Sequence, residues 1–331
     1  MKAIQVQVPG GPAQLMLVDL PDPLPGPGQV RVKAKAIGVG RPDVLIRNGT
    51  YKWMPPLPAI PGAELAGEID ALGAGVDQYQ LGDRVLVSAR ELEQRGGCYA
   101  EAIVVNQDAP YRLPHAVSFE DSVSLPNLQL ALALMRVAGQ PPSERPRVLI
   151  TGASGGVAGM LCQVAKSRGF TTIGTSRTES KSQDAMAQGF DHVICTDHQP
   201  LTERLAEITQ GKGVDWVFDH LGGQSLIDGL RSLAPWGTVV SYNIIQGLPT
   251  QDVFQLLRDL LGKSLAVRCF SMHTLDQDPS ARRELMVSAM DLMARGIVKA
   301  PAHQLFHLSD VQRTHELLDQ GLAGGKIVMH P

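Results

Sequence analysis

Residues 147–159, RVLITGASGGVAG, decide the fold of this amino-acid sequence. The first five residues have an apolar centre, Val-Leu-Ile, that is typical of a buried strand, and the glycine-rich turn after them opens a segment with helical apolar spacing. A strand, a glycine-rich turn and a helix in this order are the arrangement that binds a dinucleotide. Free N–H groups and the positive end of a helix dipole attract pyrophosphate, and glycine lets the backbone approach it. We predict that four residues of the turn bind the cofactor: Ser154, Gly155, Gly156 and Val157.

Strand and helix signals alternate after this turn. The segments TTIGTS, DHVI, VDWVF and GTVVSY read as strands with helical segments between them, which predicts parallel βαβ units in a doubly wound sheet.

The remainder of the chain has a different pattern. Residues 2–106 contain short alternating runs broken by glycine and proline, and strand and helix signals are again mixed after Arg268. We therefore predict two domains in an α/β protein. A mostly β domain comprises residues 1–118 and 268–331, and the inserted nucleotide-binding domain comprises residues 119–267.

The end of the second strand in the inserted domain bears on the choice of cofactor. NAD sites carry an acidic residue there, about 20 positions past the turn, that holds the ribose hydroxyls. This sequence has no acidic residue there and offers Ser176, Arg177 and Lys181 instead, which suit a 2′-phosphate. We predict NADPH as cofactor; the alternative is that the two cations are simply solvated at a helix start. Tyr242 and Asn243 follow the GTVVSY strand and are predicted to lie near the nicotinamide.

Several motifs together resemble the medium-chain dehydrogenase/reductase superfamily, and within it the zeta-crystallin-like quinone oxidoreductase group. They are the turn GASGGVAG, the run IRNGTYKWMPPLPAIPGAELAGEI, the pair GDRV and GGCYAE, the stretch FDHLGG and the closing GGKIV. The resemblance covers almost the whole chain. It implies a GroES-like catalytic domain interrupted by a Rossmann domain, a homodimer, and a quinone or α,β-unsaturated carbonyl compound as small-molecule substrate.

The resemblance also bears on metal binding. Zinc-dependent members of the superfamily place a cysteine and a histidine where this chain has Gly40 and Ala63. Glu64 remains, but one carboxylate cannot supply the three protein ligands of a catalytic zinc ion. We therefore predict that the protein binds no metal.

Two residues are candidate catalytic groups. Tyr51 matches a tyrosine that serves the reduction of a conjugated double bond in mitochondrial-type enoyl-thioester reductases, and a phenol can stabilise negative charge on a developing oxyanion. The alternative is a packing ring with a solvated hydroxyl. Asp43 is predicted to orient the active-site loop or, alternatively, to serve the amino terminus of a helix that Pro42 starts.

Three functions remain open at this point. The first is an NADPH-dependent quinone or enone reductase, and the second is an enoyl-thioester reductase. The third is an NADPH-binding protein without turnover, because many quinone reductases have asparagine where Gly40 stands.

Composition limits the partners. The net charge is −3 without a long basic run, and aromatic residues make up 5% of the chain, so we expect no nucleic-acid partner. No apolar run approaches the roughly 20 residues of a membrane-spanning helix. The four cysteines are widely spaced and form no C-x-x-C pair, which favours a cytoplasmic location.

Overall fold

The computed structural model describes all residues from Met1 to Pro331. The chain divides into two compact units, Met1–Pro126 with Ala300–Pro331, and Asn127–Lys299. The chain thus leaves the first unit, forms the second and returns to the first, which is the inserted arrangement expected of this fold class.

The unit boundaries differ from the predicted domain limits chiefly over residues 268–299. The mixture of strand and helix signals in this segment predicts that it belongs to the catalytic domain, whereas it lies in the compact unit of Asn127–Lys299. Two polar contacts hold it there: Gln129 donates to the carbonyl of Arg282 at 2.8 Å, and the Gln163 side chain exchanges hydrogen bonds with the backbone of Lys299. Such long-range contacts cannot be predicted from the pattern of neighbouring residues in the sequence.

The first unit, here the GroES-like unit, is mostly strands. Its strands are β1 (Lys2–Gln5), β2 (Met16–Asp19), β3 (Gln29–Val39), β4 (Glu64–Leu72), β5 (Arg84–Ser88), β6 (Ala102–Asn106), β7 (Tyr111–Arg112), β14 (His303–His307) and β15 (Lys326–His330). Its helices are α1 (Arg41–Arg47), α2 (Phe119–Ser122) and α10 (Val311–Asp319), with 3-10 turns at Pro12–Gln14, Ala89–Glu91 and Leu308–Asp310.

The second unit, here the Rossmann unit, alternates strands and helices. Helix α3 (Leu125–Ala138) leads into β8 (Arg147–Ile150), α4 (Gly156–Ser167), β9 (Thr171–Ser176), α5 (Glu179–Ala187), β10 (His192–Cys195), α6 (Leu201–Thr209), β11 (Val214–Asp219), α7 (Gly223–Ser232), β12 (Leu233–Ser241), α8 (Val253–Asp259), β13 (Ala266–Cys269) and α9 (Pro279–Ala294). Short 3-10 helices cover Leu261–Lys263 and Met272–Gln277.

The two larger sheets have the topologies expected of these folds, and β1 and β2 pair as a separate antiparallel sheet of two strands. In the Rossmann unit six parallel strands lie in the order β10-β9-β8-β11-β12-β13, so the order reverses between β8 and β11. Ligands of doubly wound sheets bind beyond the carboxyl ends of the strands at such a reversal. The GroES-like unit has a mostly antiparallel sheet in the order β14-β15-β3-β4-β5-β7, with β6 paired to β3.

Each unit has its own apolar core. The core of the GroES-like unit gathers buried aliphatic residues of β3, β4 and β5 with Tyr99, and the core of the Rossmann unit joins β8, β9 and β11 to the inner faces of α6 and α7. No helix in the chain is long and apolar enough to cross a membrane.

Candidate active site

The glycine-rich turn follows β8 and is fixed to the end of β9. The N–H of Gly152 donates to Thr175 Oγ1 at 3.1 Å, and the N–H of Ala153 donates to the Thr175 carbonyl at 2.7 Å. Gly152 has a φ of +60°, and a Cβ there would overlap the ring of His220, so only glycine fits. The sequence therefore closes the turn tightly against two neighbouring strands.

The start of α4 is open to a ligand. Gly155 is the residue before the helix and caps it with no side chain, and both Gly155 and Gly156 are exposed. The first N–H groups of a helix have no partner within the helix, so they remain available to an anion. Ser154 and Val157 flank this opening, and the Ser154 carbonyl accepts a bond from Gln188 at 3.3 Å. The predicted phosphate-binding residues thus surround one uncapped helix terminus.

The residues predicted to select NADPH lie at the end of β9. Ser176 is buried, and its hydroxyl is 2.6 Å from the hydroxyl of Ser182. This hydrogen bond stabilises the turn between β9 and α5. Arg177 is exposed and Lys181 is half-buried, and neither side chain has an ion-pair partner. Thr178 caps α5 by accepting from the N–H of Lys181 at 3.4 Å. The turn therefore carries two cations without an ion-pair partner, after a strand that ends on Ser176 and not on a carboxylate.

A pair of rings marks the carboxyl ends of β11 and β12. His220 and Tyr242 have ring centroids 5.7 Å apart, and the Tyr242 N–H donates to the Asp219 carbonyl at 2.9 Å. Burial lowers the pKa of His220, and burial followed by the negative charge of Asp219 raises the pKa of Tyr242. Both rings are therefore neutral at physiological pH. Asn243 is exposed, and its side-chain oxygen accepts from the N–H of Ile244 at 2.9 Å.

Tyr51 follows α1 in the GroES-like unit. Its ring contacts Trp53 edge to face, with centroids 5.8 Å apart, and its N–H donates to the carbonyl of Leu45 at 3.1 Å. The ring is half-buried and Trp53 is 37% exposed, so the two aromatic side chains stand at the surface of a proline-rich loop.

Asp43 lies in the first turn of α1 and accepts hydrogen bonds from two backbone N–H groups. One oxygen accepts from the N–H of Gly40 at 2.8 Å and so caps α1, and the other accepts from the N–H of Gly62 at 3.2 Å. The residue is 0% exposed, so its carboxylate makes no contact with solvent. Burial, followed by the nearby charge of Glu64, raises the pKa of Asp43 to about 7.

Similarity to known proteins identifies the family of this chain. Residues 26–115 match the family described as alcohol dehydrogenase GroES-like domain, and residues 156–291 match zinc-binding dehydrogenase. The chain is 32% identical over 326 residues to quinone oxidoreductase 1 of Escherichia coli, covering 97% of both chains. It belongs to the quinone oxidoreductase group of the medium-chain dehydrogenase/reductases.

Solved structures agree with this membership. The Escherichia coli quinone oxidoreductase complexed with NADPH is similar to this oxidoreductase, with a TM-score of 0.86, 31% identity and complete coverage of both chains. A 2-haloacrylate reductase is similar with a TM-score of 0.82 and 27% identity, covering 100% of this chain and 99% of that one.

The zinc ion in the name of one matching family has no fitting residues in this oxidoreductase. Gly40 and Ala63 offer no ligand, and the Glu64 carboxylate forms a buried ion pair with Lys326. No group of three or more His, Cys, Asp or Glu side chains lies close enough together to hold a metal ion. The residues at these positions therefore do not fit a zinc ion.

Sequence reasoning missed the polar groups around Asp43 and the ring of His220. The sequence presents Glu64 only as a leftover zinc ligand, and its partner Lys326 lies 262 positions away in the chain. Tyr99, Arg47 and His315 form a second buried polar group in the same unit. His220 has one local signal, since it directly follows the end of β11 in the FDHLGG stretch.

Proposed function

We propose that this protein transfers a hydride from NADPH to a quinone or an α,β-unsaturated carbonyl compound without the help of a metal ion. The observation that carries the proposal is the pairing of an uncapped helix start at Gly155 with two unpaired cations, Arg177 and Lys181, at the adjacent strand end. Family membership supports the reaction class, and the NADPH complex of the Escherichia coli relative supports the cofactor.

The Rossmann unit would bind the cofactor through three features. The N–H groups at the start of α4 would hold the pyrophosphate, and the absence of side chains at Gly155 and Gly156 would let it approach. Arg177 and Lys181 would hold the 2′-phosphate, with the buried hydroxyl of Ser176 fixing their turn. The rings of His220 and Tyr242 and the exposed Asn243 would border the nicotinamide at the ends of β11 and β12.

When bound, NADPH supplies the hydride and hence the intrinsic reactivity. The chain must supply orientation and a way to stabilise the negative charge that develops on the substrate oxygen. Tyr51 would donate its hydroxyl hydrogen to that oxygen. Asp43, which is buried and bound to two backbone N–H groups, would act through the loop and not on the substrate.

The two other functions considered from the sequence receive less support. The relatives described above are reductases of quinones and of a haloacrylate, so neither enoyl-thioester reduction nor NADPH binding without turnover is favoured. The haloacrylate reductase supports the conjugated-carbonyl half of the proposed substrate range, because a haloacrylate is a conjugated acid.

We further propose that the protein is a homodimer joined along β13. This strand ends the parallel sheet of the Rossmann unit, and three of its four residues are exposed. An edge strand offers unpaired N–H and C=O groups to a second chain. Exposed apolar side chains, Phe254 at 72% and Leu261 at 57%, precede it in the chain. Sedimentation equilibrium should give the mass of two chains, and a monomer mass would contradict this.

The proposed location is the cytoplasm. Cys98, Cys162, Cys195 and Cys269 are all free thiols in the structure, as expected in a reducing compartment. Fractionation of cells that express the native chain should recover the activity with the cytoplasmic enzymes.

The reaction is tested by following NADPH oxidation with a panel of quinones, enones and enoyl-thioesters. We expect turnover with quinones or simple enones and weaker turnover with thioesters. The Arg204→Ala variant removes an exposed arginine whose ion pair with Glu207 lies outside the proposed site, and it should behave as the parent protein. Absence of turnover with every acceptor, while NADPH still binds, would favour a non-catalytic NADPH-binding protein.

A further inference from the structure

The turn between β9 and α5 is hydrogen-bonded to the end of the neighbouring strand, β10. The Ser176 carbonyl accepts from the N–H of Thr196 at 2.8 Å and from the Thr196 hydroxyl at 3.1 Å. The Arg177 carbonyl accepts from the Cys195 thiol at 3.2 Å. Cys195 is the last residue of β10, and Thr196 follows it. Two consecutive residues at the end of β10 therefore hold two consecutive carbonyl groups of the turn.

These bonds fix the direction of two peptide groups. In a trans peptide the N–H points away from the carbonyl of the same peptide group. Because the carbonyls of Ser176 and Arg177 point to the end of β10, the N–H groups of Arg177 and Thr178 point away from it. Neither N–H donates to another group of the chain. Strand β9 lies between β10 and β8, so these two donors face the side of β8, which the glycine-rich turn follows.

This orientation suits a phosphate group. Backbone N–H groups that point in one direction attract an anion, whereas carbonyl oxygens on the same side would repel it. The Cys195 thiol bonds to the turn on the side away from the two N–H groups, and the residue is 6% exposed. Cys195 therefore acts on the turn itself. Its bond also fixes the backbone of Arg177, from which the guanidinium extends.

We propose that Cys195 and Thr196 are positioning residues for cofactor selection. They keep the carbonyls of Ser176 and Arg177 away from the 2′-phosphate and place the Arg177 guanidinium to receive it. This inference rests on the proposed binding of the 2′-phosphate by Arg177 and Lys181. It adds a determinant of cofactor preference at the end of β10, 18 positions beyond Arg177 in the chain.

The test compares Cys195→Ala and Thr196→Val, which remove the thiol and the hydroxyl, with the parent protein. Isothermal titration gives the dissociation constants for NADPH and NADH. We expect each variant to weaken NADPH binding about twofold to tenfold, the size of one ordinary hydrogen bond. Cys195→Ala should lie at the lower end, because a thiol is a weak donor. NADH has no 2′-phosphate, so its affinity should stay unchanged, whereas general damage to the unit would weaken both cofactors.

A double-mutant cycle tests whether Thr196 acts through Arg177. In the Arg177→Ala background, the further loss of NADPH affinity on Thr196→Val should be smaller than in the parent background and amount to about twofold or less. A hydroxyl that contacted the phosphate directly would give the same loss in both backgrounds. That result would overturn the positioning role of Thr196.

Two further variants serve as controls. Cys195→Ser keeps a donor at this position and should retain the NADPH preference of the parent protein. Cys162→Ala removes another buried thiol of the same unit, bonded to the Thr172 hydroxyl at 3.5 Å, and should leave both affinities in place. Thr196 is exposed, so Thr196→Val provides the measurement if Cys195→Ala does not fold.

The inference and the proposed function fail in different ways. A ratio of NADPH to NADH affinity that stays at the parent value in the folded variants Cys195→Ala and Thr196→Val, while Arg177→Ala lowers it, would overturn the inference alone. Equal affinities for the two cofactors in the parent protein would instead contradict the proposed binding of the 2′-phosphate.

Discussion

The side chains of Glu64 and Lys326 meet across strand β3, directly over Gly38. Glu64 lies on β4 opposite Gly38, and Lys326 begins β15, the neighbour of β3 on its other side. A Cβ at Gly38 would lie 2.5 Å from Glu64 Cγ and 3.0 Å from Lys326 Cε. The glycine therefore makes room for an ion pair whose two side chains are 8% and 5% exposed.

We predict that Lys326→Met lowers the free energy of unfolding by about 3–5 kcal/mol, because it leaves the Glu64 carboxylate buried without its cation. Denaturant unfolding of the purified protein measures the change. The matched control is Lys2→Met, which removes an exposed ion pair with Asp19 and should cost at most about 1 kcal/mol. The double variant Glu64→Leu with Lys326→Met should recover much of the loss. Equal effects of Lys326→Met and Lys2→Met would contradict this account of the buried pair.

The raised pKa of Asp43 predicts how stability depends on pH. The folded protein holds a proton on Asp43 up to a pKa of about 7, whereas the ordinary value of the carboxyl is 3.8. The native state therefore binds more protons between these values, and this contribution to stability is lost as the pH rises towards 7. One proton contributes a slope of at most about 1.4 kcal/mol per pH unit. Asp43→Asn should flatten the stability curve between these two values, as measured by urea unfolding. An identical slope in the variant would contradict the assignment.

Tyr51→Phe should lower kcat and leave the affinity for NADPH unchanged. Donors to developing oxyanions contribute roughly 2.7–4 kcal/mol in strong cases, and we expect less here because the ring is only half-buried. Steady-state kinetics on each accepted quinone and enone, together with fluorescence titration of NADPH, separates the two effects. Trp53→Phe is the matched control, since it changes the ring that contacts Tyr51 without removing a phenol. If Tyr51→Phe retains full turnover on all acceptors, Tyr51 is a packing residue.

Local features of this protein are the ones that its sequence predicts well. A strand, its glycines and the following helix sit within residues 147–167, so the spacing of neighbouring residues is enough to predict the phosphate-binding turn. The long apolar stretch 119–138 predicts one helix, whereas the structure has α2 and α3 with a break before Pro126. Proline has no N–H and favours the first turn of a helix, which explains a new start at this point.

The environment of Asp43 could not be predicted in the same way. Its neighbours Glu64, Tyr99 and Lys326 come from three distant parts of the chain, and only the pairing of β3 with β4 and β15 brings them together. A pattern of polar and apolar residues shows the period of a single strand or helix. It does not show how one strand is aligned with another. Pro42 is enough to predict that Asp43 caps a helix. The buried charged groups around Asp43 could not be predicted from the sequence.

We predict that the purified protein contains no stoichiometric zinc and keeps its activity in a strong chelator. Gly40 and Ala63 provide no ligand atoms, and Glu64 is engaged by Lys326. Elemental analysis after chelation, followed by the NADPH oxidation assay, makes the measurement. One tightly bound metal per chain, or loss of activity that added zinc restores, would refute the prediction.

Cofactor preference depends on what stands at the end of β9. β9 ends on Ser176 and not on a carboxylate that would hold the ribose hydroxyls, and the side chains of Arg177 and Lys181 have no ion-pair partner, although Glu179 lies between them in the chain. A buried hydrogen bond between the hydroxyls of Ser176 and Ser182 stabilises the turn that carries these two cations. The cations can therefore meet the phosphate without first breaking another contact.

We expect Arg177→Ala to weaken NADPH binding roughly tenfold to a hundredfold, since a hydrogen bond to a charged group contributes about 1.5–3 kcal/mol. NADH has no 2′-phosphate, so its binding should barely change, and Arg177→Ala with Lys181→Ala should remove most of the discrimination. Arg204→Ala, which removes an exposed arginine of the same unit, should leave both affinities as they are. Because the contact is exposed, added salt should weaken NADPH binding more than NADH binding in the parent protein. Isothermal titration of both cofactors measures each quantity, and equal dissociation constants for NADPH and NADH in the parent protein would rule out the assignment.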